Sequence, residues 1–336
     1  MAHLPVCFYR WVYQRYVAAC GARKSRFQTY LWGKLKARIG KWANPVIEME
    51  VDGVALRMPF SHKLPRYRAM YRDYDTALPR LAAFLRGQAG RLAMIDIGAN
   101  IGDTVRRVAA RVPDGRFLGV EADPLYFALL QENTRSLSSM VAEQKLCAAR
   151  LDQEGLAIER RGGTGRVTPG KSGTVSVSTL DHICDQRAFR GVTLLKIDTD
   201  GYDYACLRGA EKVIAENHPA LFIEFTPDGL RAAGASPQGL LQYLLQLGYP
   251  RGWFYDHLGL PLGEFSLEDE TLMGDLIAYG YAKPLYYDIL AFHQDQQAAF
   301  REFLARERAY FQAPLYESGS LETGAMQRTE DGMRRR

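Results

Sequence analysis

With 336 residues, 47% hydrophobic and 24% charged, the chain is long enough to bury a large core, and no apolar run approaches the roughly 20 residues of a membrane helix. Five cysteines, odd in number and without a C-x-x-C pair, exclude a disulfide framework and a structural zinc, so Cys7, Cys20, Cys147, Cys184 and Cys206 are expected to be reduced core residues. The net charge of +5 hides an asymmetry: residues 1–45 carry nine Lys or Arg and no acid, while the remainder holds 34 basic and 38 acidic residues, net −4.

In chain order, residues 1–45 are expected to form a basic aromatic helical arm. Phe8, Trp11, Tyr13, Tyr16, Phe27, Tyr30, Trp32 and Trp42 alternate there with the cations. Such a mixture suits an anionic lipid interface, whereas packing of the rings on the body of the protein with the cations in water is the preferred reading. Arg10 and Arg15 interrupt the apolar stretch and no small-residue cleavage site follows, so the chain is expected to be cytoplasmic, with peripheral contact at the inner face of the membrane as the arm's second reading. Residues 46–90 read as a hairpin turning at Asp52-Gly53, followed by a helix from Tyr67 to Arg86.

Residues 91–312 then alternate strand and helix. Strands are expected over Leu92–Ile97, Arg116–Glu121, Val141–Ala148, Leu156–Glu159, Thr193–Asp198 and Ala220–Phe225, and helices over Asp103–Arg111, Pro124–Leu137, Tyr202–Asn217 and Ser236–Leu247. This is the pattern of an α/β fold with a mostly parallel, doubly wound sheet and helices on both faces. Gly162 to Gly173 reads as a plain surface loop, and residues 313–336 as a disordered tail.

The segment Ile95-Asp96-Ile97-Gly98-Ala99-Asn100-Ile101-Gly102-Asp103 runs a strand through a tight turn into a helix, where open α/β sheets bind ligands. A nicotinamide enzyme needs G-x-G-x-x-G and a pyrophosphate there, but Asn100 replaces the middle glycine and Asp96 and Asp103 would repel phosphate. Two carboxylates suit a ligand carrying an ammonium and a sulfonium, so the expected cofactor is S-adenosyl-L-methionine. Gly98 and Gly102 are expected to let backbone approach it, and Glu121, ending the second strand, to accept both ribose hydroxyls.

The loop, with Glu121-Ala122-Asp123-Pro124 and Leu195-Lys196-Ile197-Asp198-x-x-Gly201 followed by Leu207, Gly209-Ala210, Pro219 and Glu224, resembles the FkbM family of methyltransferases over residues of about 50–230. The resemblance implies a Rossmann-like class I methyltransferase fold, with the N-terminal helices and hairpin as an extension. It also implies O-methylation of a sugar, glycan or secondary-metabolite hydroxyl. It adds Ala99, Asn100, Ala122 and Asp123 to Asp96, Gly98, Gly102, Asp103 and Glu121 as cofactor-binding residues. The family's third block usually reads Lys-Ile-Asp-Val-Glu-Gly-x-Glu, whereas Asp200 and Asp203 here are one methylene shorter.

Methyl transfer to a hydroxyl needs alignment of the acceptor and removal of its proton. Lys196 and Asp198 share one strand face, and Glu224 ends the next strand, so Asp198 is the candidate base or positioning residue and Glu224 its partner, while buried Lys196 is expected to pair with Asp198, Glu224 or both. Asp200 and Asp203 read first as a capping pair. Asp198, Asp200 and Glu224 offer oxygen ligands to magnesium, but a pair with Lys196 accounts for them equally and no metal is expected. His257, among Trp253, Phe254 and Tyr255, is a further candidate for the acceptor pocket. The partner is expected to be a small-molecule or glycan acceptor and not nucleic acid, since the chain outside the arm is net negative. The competing readings are a nicotinamide-dependent oxidoreductase and a non-catalytic nucleoside-binding module.

Overall fold

The computed structural model describes residues 4–21, 26–151, 156–161, 164–169, 175–283 and 285–313. Two compact units are present, Met1–Gln294 and Asp295–Arg336. Expectations for residues 162–163, 170–173 and the tail beyond 313 lie outside the described residues.

The first unit begins with α1 (Val6–Gly21) and α2 (Arg26–Gly40), then the antiparallel hairpin β1 (Val46–Val51) and β2 (Val54–Pro59). Asp52 and Gly53 both have positive φ at the turn, as the Asp-Gly pair requires. Tyr9, Val12 and Tyr13 of α1 join Ile47, Leu56, Met58 and Phe60 in one apolar cluster. The expected helix over Tyr67–Arg86 is instead two, α3 (Leu64–Met70) and α4 (Ala77–Ala89). Between them Asp75 takes φ 60°, and buried Arg107 holds both its backbone oxygen at 2.8 Å and its carboxylate at 2.5 Å.

The sheet domain follows as β3 (Ala93–Ile97), α5 (Asp103–Arg111), β4 (Arg116–Val120), α6 (Pro124–Thr134), β5 (Met140–Glu143) and β6 (Leu146–Cys147). Next come β7 (Leu156–Arg161), β8 (Thr164–Pro169), β9 (Val177–Ser178), α7 (Leu180–Gln186), β10 (Leu194–Ile197), α8 (Asp203–Arg208) and α9 (Glu211–Asn217). Last are β11 (Ala220–Phe225), α10 (Pro227–Ala232), α11 (Pro237–Gln246), β12 (Arg251–Asp256), β13 (Pro261–Ser266), α12 (Glu270–Ala282) and β14 (Tyr287–Ala291). Residues 164–169, expected as loop, pair with β7 as an antiparallel hairpin. The helix expected over 202–217 breaks at Gly209, where a Cβ would lie 2.1 Å from the Ala148 carbonyl oxygen.

The main sheet has the order β13-β12-β14-β11-β10-β3-β4-β5, parallel from β11 to β5, with β14 antiparallel between β11 and β12. The chain winds from β3 outward to β5 and then returns to build β10 and β11 on the other side. The junction of β3 and β10 is therefore the switch point, where such sheets open a crevice at their carboxyl ends. Ile95, Ile97, Leu195, Ile197, Leu221 and Ile223 pack with Ile183 of α7, Val213 of α9 and Leu240 of α11. Alternation puts Asp96, Lys196, Phe222 and Glu224 on the opposite face. This is an α/β architecture with a mostly parallel, doubly wound sheet, as expected. Cys147, Cys184 and Cys206 are buried as expected, but Cys7 is exposed on α1.

The second unit carries a helix over residues 297–313, in which Phe300, Phe303, Leu304 and Glu307 are buried.

Candidate functional site

At the end of β3 the backbone turns sharply: Gly98 has φ +79°, Asn100 φ +48° and Gly102 φ +78°. The protein's own packing also requires the two glycines. A Cβ on Gly98 would lie 1.8 Å from the Asp198 carbonyl oxygen, and one on Gly102 would lie 2.8 Å from Leu130 of α6. They let the loop pack against the end of β10 and against a helix. Asn100, a residue type that tolerates the left-handed region, donates its N–H to Glu121 Oε2 at 2.8 Å, and Asp123 N–H reaches Glu121 Oε1 at 2.7 Å. Burial nevertheless pushes the Glu121 carboxyl up to about 7, against the lowering effect of those N–H groups.

Glu121 lines a cavity of about 100 Å³ with Val120, Ala122, Leu146, Cys147, Ile158 and Val167, a carboxylate against apolar walls. A larger cleft of about 300 Å³ lies beside it, lined by Ala99, Asp103, Lys196, Glu224 and residues of the N-terminal extension among others. Gly98, Asn100, Asp198 and Asp200 line both. The two cavities therefore adjoin at these four residues.

Under the junction, Asp96 and Lys196 stand in register on β3 and β10. Lys196 Nζ lies 3.0 Å from Asp96 Oδ1 and 3.0 Å from Asp198 Oδ2, with Lys196 and Asp96 buried and Asp198 about half exposed. Burial disfavours the ammonium, but Asp198 and Asp96 outweigh it and hold Lys196 well above its ordinary range. Lys196 thus bridges Asp198, one of its expected partners, and Asp96, which was not among them, and it is not paired with Glu224. The Glu224 carboxylate instead accepts the Asp200 N–H at 3.1 Å. Asp96 Oδ2 is buried and accepts no hydrogen bond, an orphan oxygen that fits an added cation such as an ammonium.

The cleft is acidic. Glu224 faces Asp288 across β11 and β14, and burial together with neighbouring carboxylates, Asp198 foremost, raises both well above the ordinary carboxyl range. Asp103 is pushed up to about 6 by burial, against the pull of Arg107. Asp203 does not form a capping pair with Asp200. It reaches back to accept from Thr199 N–H, Thr199 Oγ1 and Gly201 N–H, which fastens the loop after β10. Asp123 caps α6 through the Leu125 and Tyr126 N–H groups. Neither it, nor Gly102, nor Asp96 is among the residues lining the two cavities.

Sequence reading missed the far wall of the cleft: His62, Tyr67, Tyr74 and Asp75 from the N-terminal extension, Tyr286 just before the last strand and Asp288 within it. Of these only Asp288 carried a usable signal, as an acid inside an otherwise apolar strand. His62 is buried and held down at about 4 by desolvation, hence neutral. Its Nδ1 accepts the Leu64 N–H and its Nε2 faces Asn100 Oδ1 at 3.3 Å, so Nε2 carries the proton. The Tyr13 hydroxyl of α1 donates to the His62 carbonyl, tying the arm to the cleft wall. His257, a candidate for the acceptor pocket, lines the cleft, with Nδ1 buried and without a hydrogen-bond partner.

Residues 96–250 match the family described as the methyltransferase FkbM domain. Among solved structures, the chain is similar to a methyltransferase FkbM from Methylobacillus flagellatus KT, at 17% identity and TM-score 0.35 over 57% of this chain and 55% of that one. The chain thus spans about half the length of that protein. It is also similar to TYW2 of P. horikoshii, solved with MeSAdo, at 10% identity and TM-score 0.39 over 74% of this chain and 72% of that one. A third is TYW2 of M. jannaschii, solved with AdoMet, at 10% identity and TM-score 0.36 over 75% of this chain and 88% of that one. No curated protein matches the chain.

Proposed function

Residues 96–250 being a methyltransferase FkbM domain, we propose that the chain is an S-adenosylmethionine-dependent O-methyltransferase acting on a hydroxyl of a sugar, glycan or secondary metabolite. The observation that carries this reading is the pair of cavities joined at Gly98, Asn100, Asp198 and Asp200, one with the single buried carboxylate of Glu121 and the other rich in acids.

When bound, the cofactor supplies a methyl carbon made electrophilic by its sulfonium. Glu121 would hold the ribose hydroxyls, Val120, Ala122, Ile158 and Val167 the adenine, and Asp103, which lines the larger cleft, the ammonium end. Asp198 stands where the cavities meet, positioned by Lys196 at 3.0 Å. Its carboxylate accepts the hydrogen bond of the acceptor hydroxyl and orients the oxygen for in-line attack. Glu224 and Asp288, both raised by burial and by the neighbouring carboxylates, line the same cleft and would make hydrogen bonds to other hydroxyls of the acceptor. A polyhydroxylated acceptor offers partners for such a ring of acids, whereas a phosphate would meet repulsion.

Incubation with labelled methyl donor and extract of the source organism, followed by mass analysis, tests the reading by whether a hydroxyl becomes methylated. With that acceptor, Asp198→Asn is expected to lower turnover about 10²- to 10⁴-fold while cofactor affinity is kept. Undiminished turnover would overturn the role of Asp198, and labelling only at nitrogen or carbon would overturn O-methylation.

A further inference from the structure

The two helices of the basic arm differ. α1 buries Tyr9, Val12, Tyr13 and Ala19, as the packing reading requires, but α2 buries none of its residues. At 100° per residue, Phe27, Tyr30, Leu31 and Leu35 fall on one outward arc of α2 together with Lys34 and Arg38, and Lys41 and Trp42 continue that arc just beyond the helix. All of these are exposed, Phe27 by 69%, Tyr30 by 62% and Trp42 by 73%. Thr29, Trp32, Gly33, Lys36 and Ile39 lie on the other side. There Trp32 meets Trp11 edge-on at 5.4 Å, Thr29 Oγ1 donates to the Ala19 carbonyl, and Lys36 Nζ sits over the Tyr13 and Phe60 rings. Trp11, Leu4 and Val6 of the neighbouring segment are also exposed.

A solvated helix face has no physical need for two large aromatics and two leucines in the open, and such patches mark interaction surfaces. The charge selects the partner: residues 1–45 hold nine basic residues and no acid on a chain whose remainder is net negative. Aromatic rings that bury in a headgroup layer, beside Lys and Arg stems that reach its phosphates, are the composition of a helix lying in a membrane interface. We propose that the outward face of α2, Phe27, Tyr30, Leu31, Lys34, Leu35 and Arg38, docks the protein on an anionic lipid surface. Among the described residues no helix is long and apolar enough to cross a membrane, so the contact is peripheral.

Vesicle co-sedimentation of the full chain tests this with phosphatidylcholine alone and with 30% phosphatidylglycerol. Each Lys or Arg near such a surface contributes about a fivefold gain in partitioning. The anionic vesicles are therefore expected to bind at least tenfold more tightly, with the gain lost in high salt. The combined variants Phe27→Ala, Tyr30→Ala, Leu31→Ala and, separately, Lys34→Gln, Arg38→Gln, Lys41→Gln are each expected to reduce binding at least tenfold. Their melting temperatures should stay unchanged, since these side chains are exposed. Failure of the wild type to sediment, or equal sedimentation of either variant, would overturn the proposal. So would light scattering that shows a dimer dispersed by the apolar variant, which would make the face a self-contact. A 20-nucleotide RNA that binds more tightly than the vesicles and displaces them would overturn it in favour of nucleic acid.

Discussion

Replacing Lys196 by methionine isolates the central ion pair of the site. Asp96 is fully buried, with Oδ1 at 3.0 Å from Lys196 Nζ and Oδ2 unpartnered, so the substitution leaves a buried carboxylate with no counter-charge. Breaking a buried pair in this way costs about 3–5 kcal/mol. At this chain size each kcal/mol moves the melting temperature by about 2 °C, so a fall of about 6–10 °C is expected. Burial raises Asp96 even in the wild type, and loss of the ammonium raises it further. A carboxyl raised in the folded state makes that state the better proton binder. The variant should therefore be most stable below the unfolded value of about 4 and lose stability as pH rises toward the folded value, by at most about 1.4 kcal/mol per unit. The double variant Asp96→Asn, Lys196→Met removes the charge itself and is expected to recover at least about 2 kcal/mol, with little of that pH dependence. Urea denaturation of the four proteins of the cycle at pH 5 and pH 8 is the assay. A loss below about 1 kcal/mol in the single variant, or a double variant no more stable than it, would refute the reasoning.

Two glycines with similar backbone conformations make a second test. Gly98→Ala puts a Cβ 1.8 Å from the Asp198 carbonyl, whereas Gly90→Ala, at φ +69°, meets no atom within 4 Å. The second should cost only about 1–2 kcal/mol of left-handed strain and the first at least about 4, so equal shifts in thermal unfolding would contradict the packing described at the switch point. Glu121→Gln is expected to weaken cofactor binding by about 1.5–3 kcal/mol, roughly 10- to 150-fold by titration calorimetry. Because burial raises Glu121 from 4.5 to about 7, its contribution to stability is present below pH 4.5 and lost as pH rises through 7. Ribose hydroxyls need the ionised form, so wild-type affinity should increase between pH 6 and pH 8 while the glutamine variant stays flat. An unchanged slope in the variant would remove Glu121 from the ribose site.

Much of the sheet was legible because its strands are short apolar runs bounded by glycine, proline and acids, as at Ala220–Phe225, which forms as expected. Asp96, Asn100, Glu121, Lys196 and Asp198 could be grouped in advance because strand-end positions of a parallel sheet converge. Lys196 pairs with Asp198, one of its expected partners, but its second partner was missed, since register decides it: Lys196 faces Asp96 on β3 and Phe222 on β11. The break at 71–76 was hidden because a helical pattern ignores a tertiary clamp, here Arg107 on Asp75. His62, Tyr74 and Asp288 come from segments 26 to 188 residues away from Asn100, and only the folded chain brings them to one cleft. Gly98 and Gly102 were read as room for a ligand; a Cβ on either would also meet the protein itself, the Asp198 carbonyl or Leu130, and Gly98 lines both cavities while Gly102 lines neither.

Thermal unfolding of the full chain with S-adenosylmethionine or NAD is the most direct test of the cofactor pocket. At a hundred times the dissociation constant a bound ligand adds about 2.7 kcal/mol, or roughly 5 °C here. A shift of that order with S-adenosylmethionine and none with NAD is predicted. A shift with NAD alone, or with neither, would contradict the account.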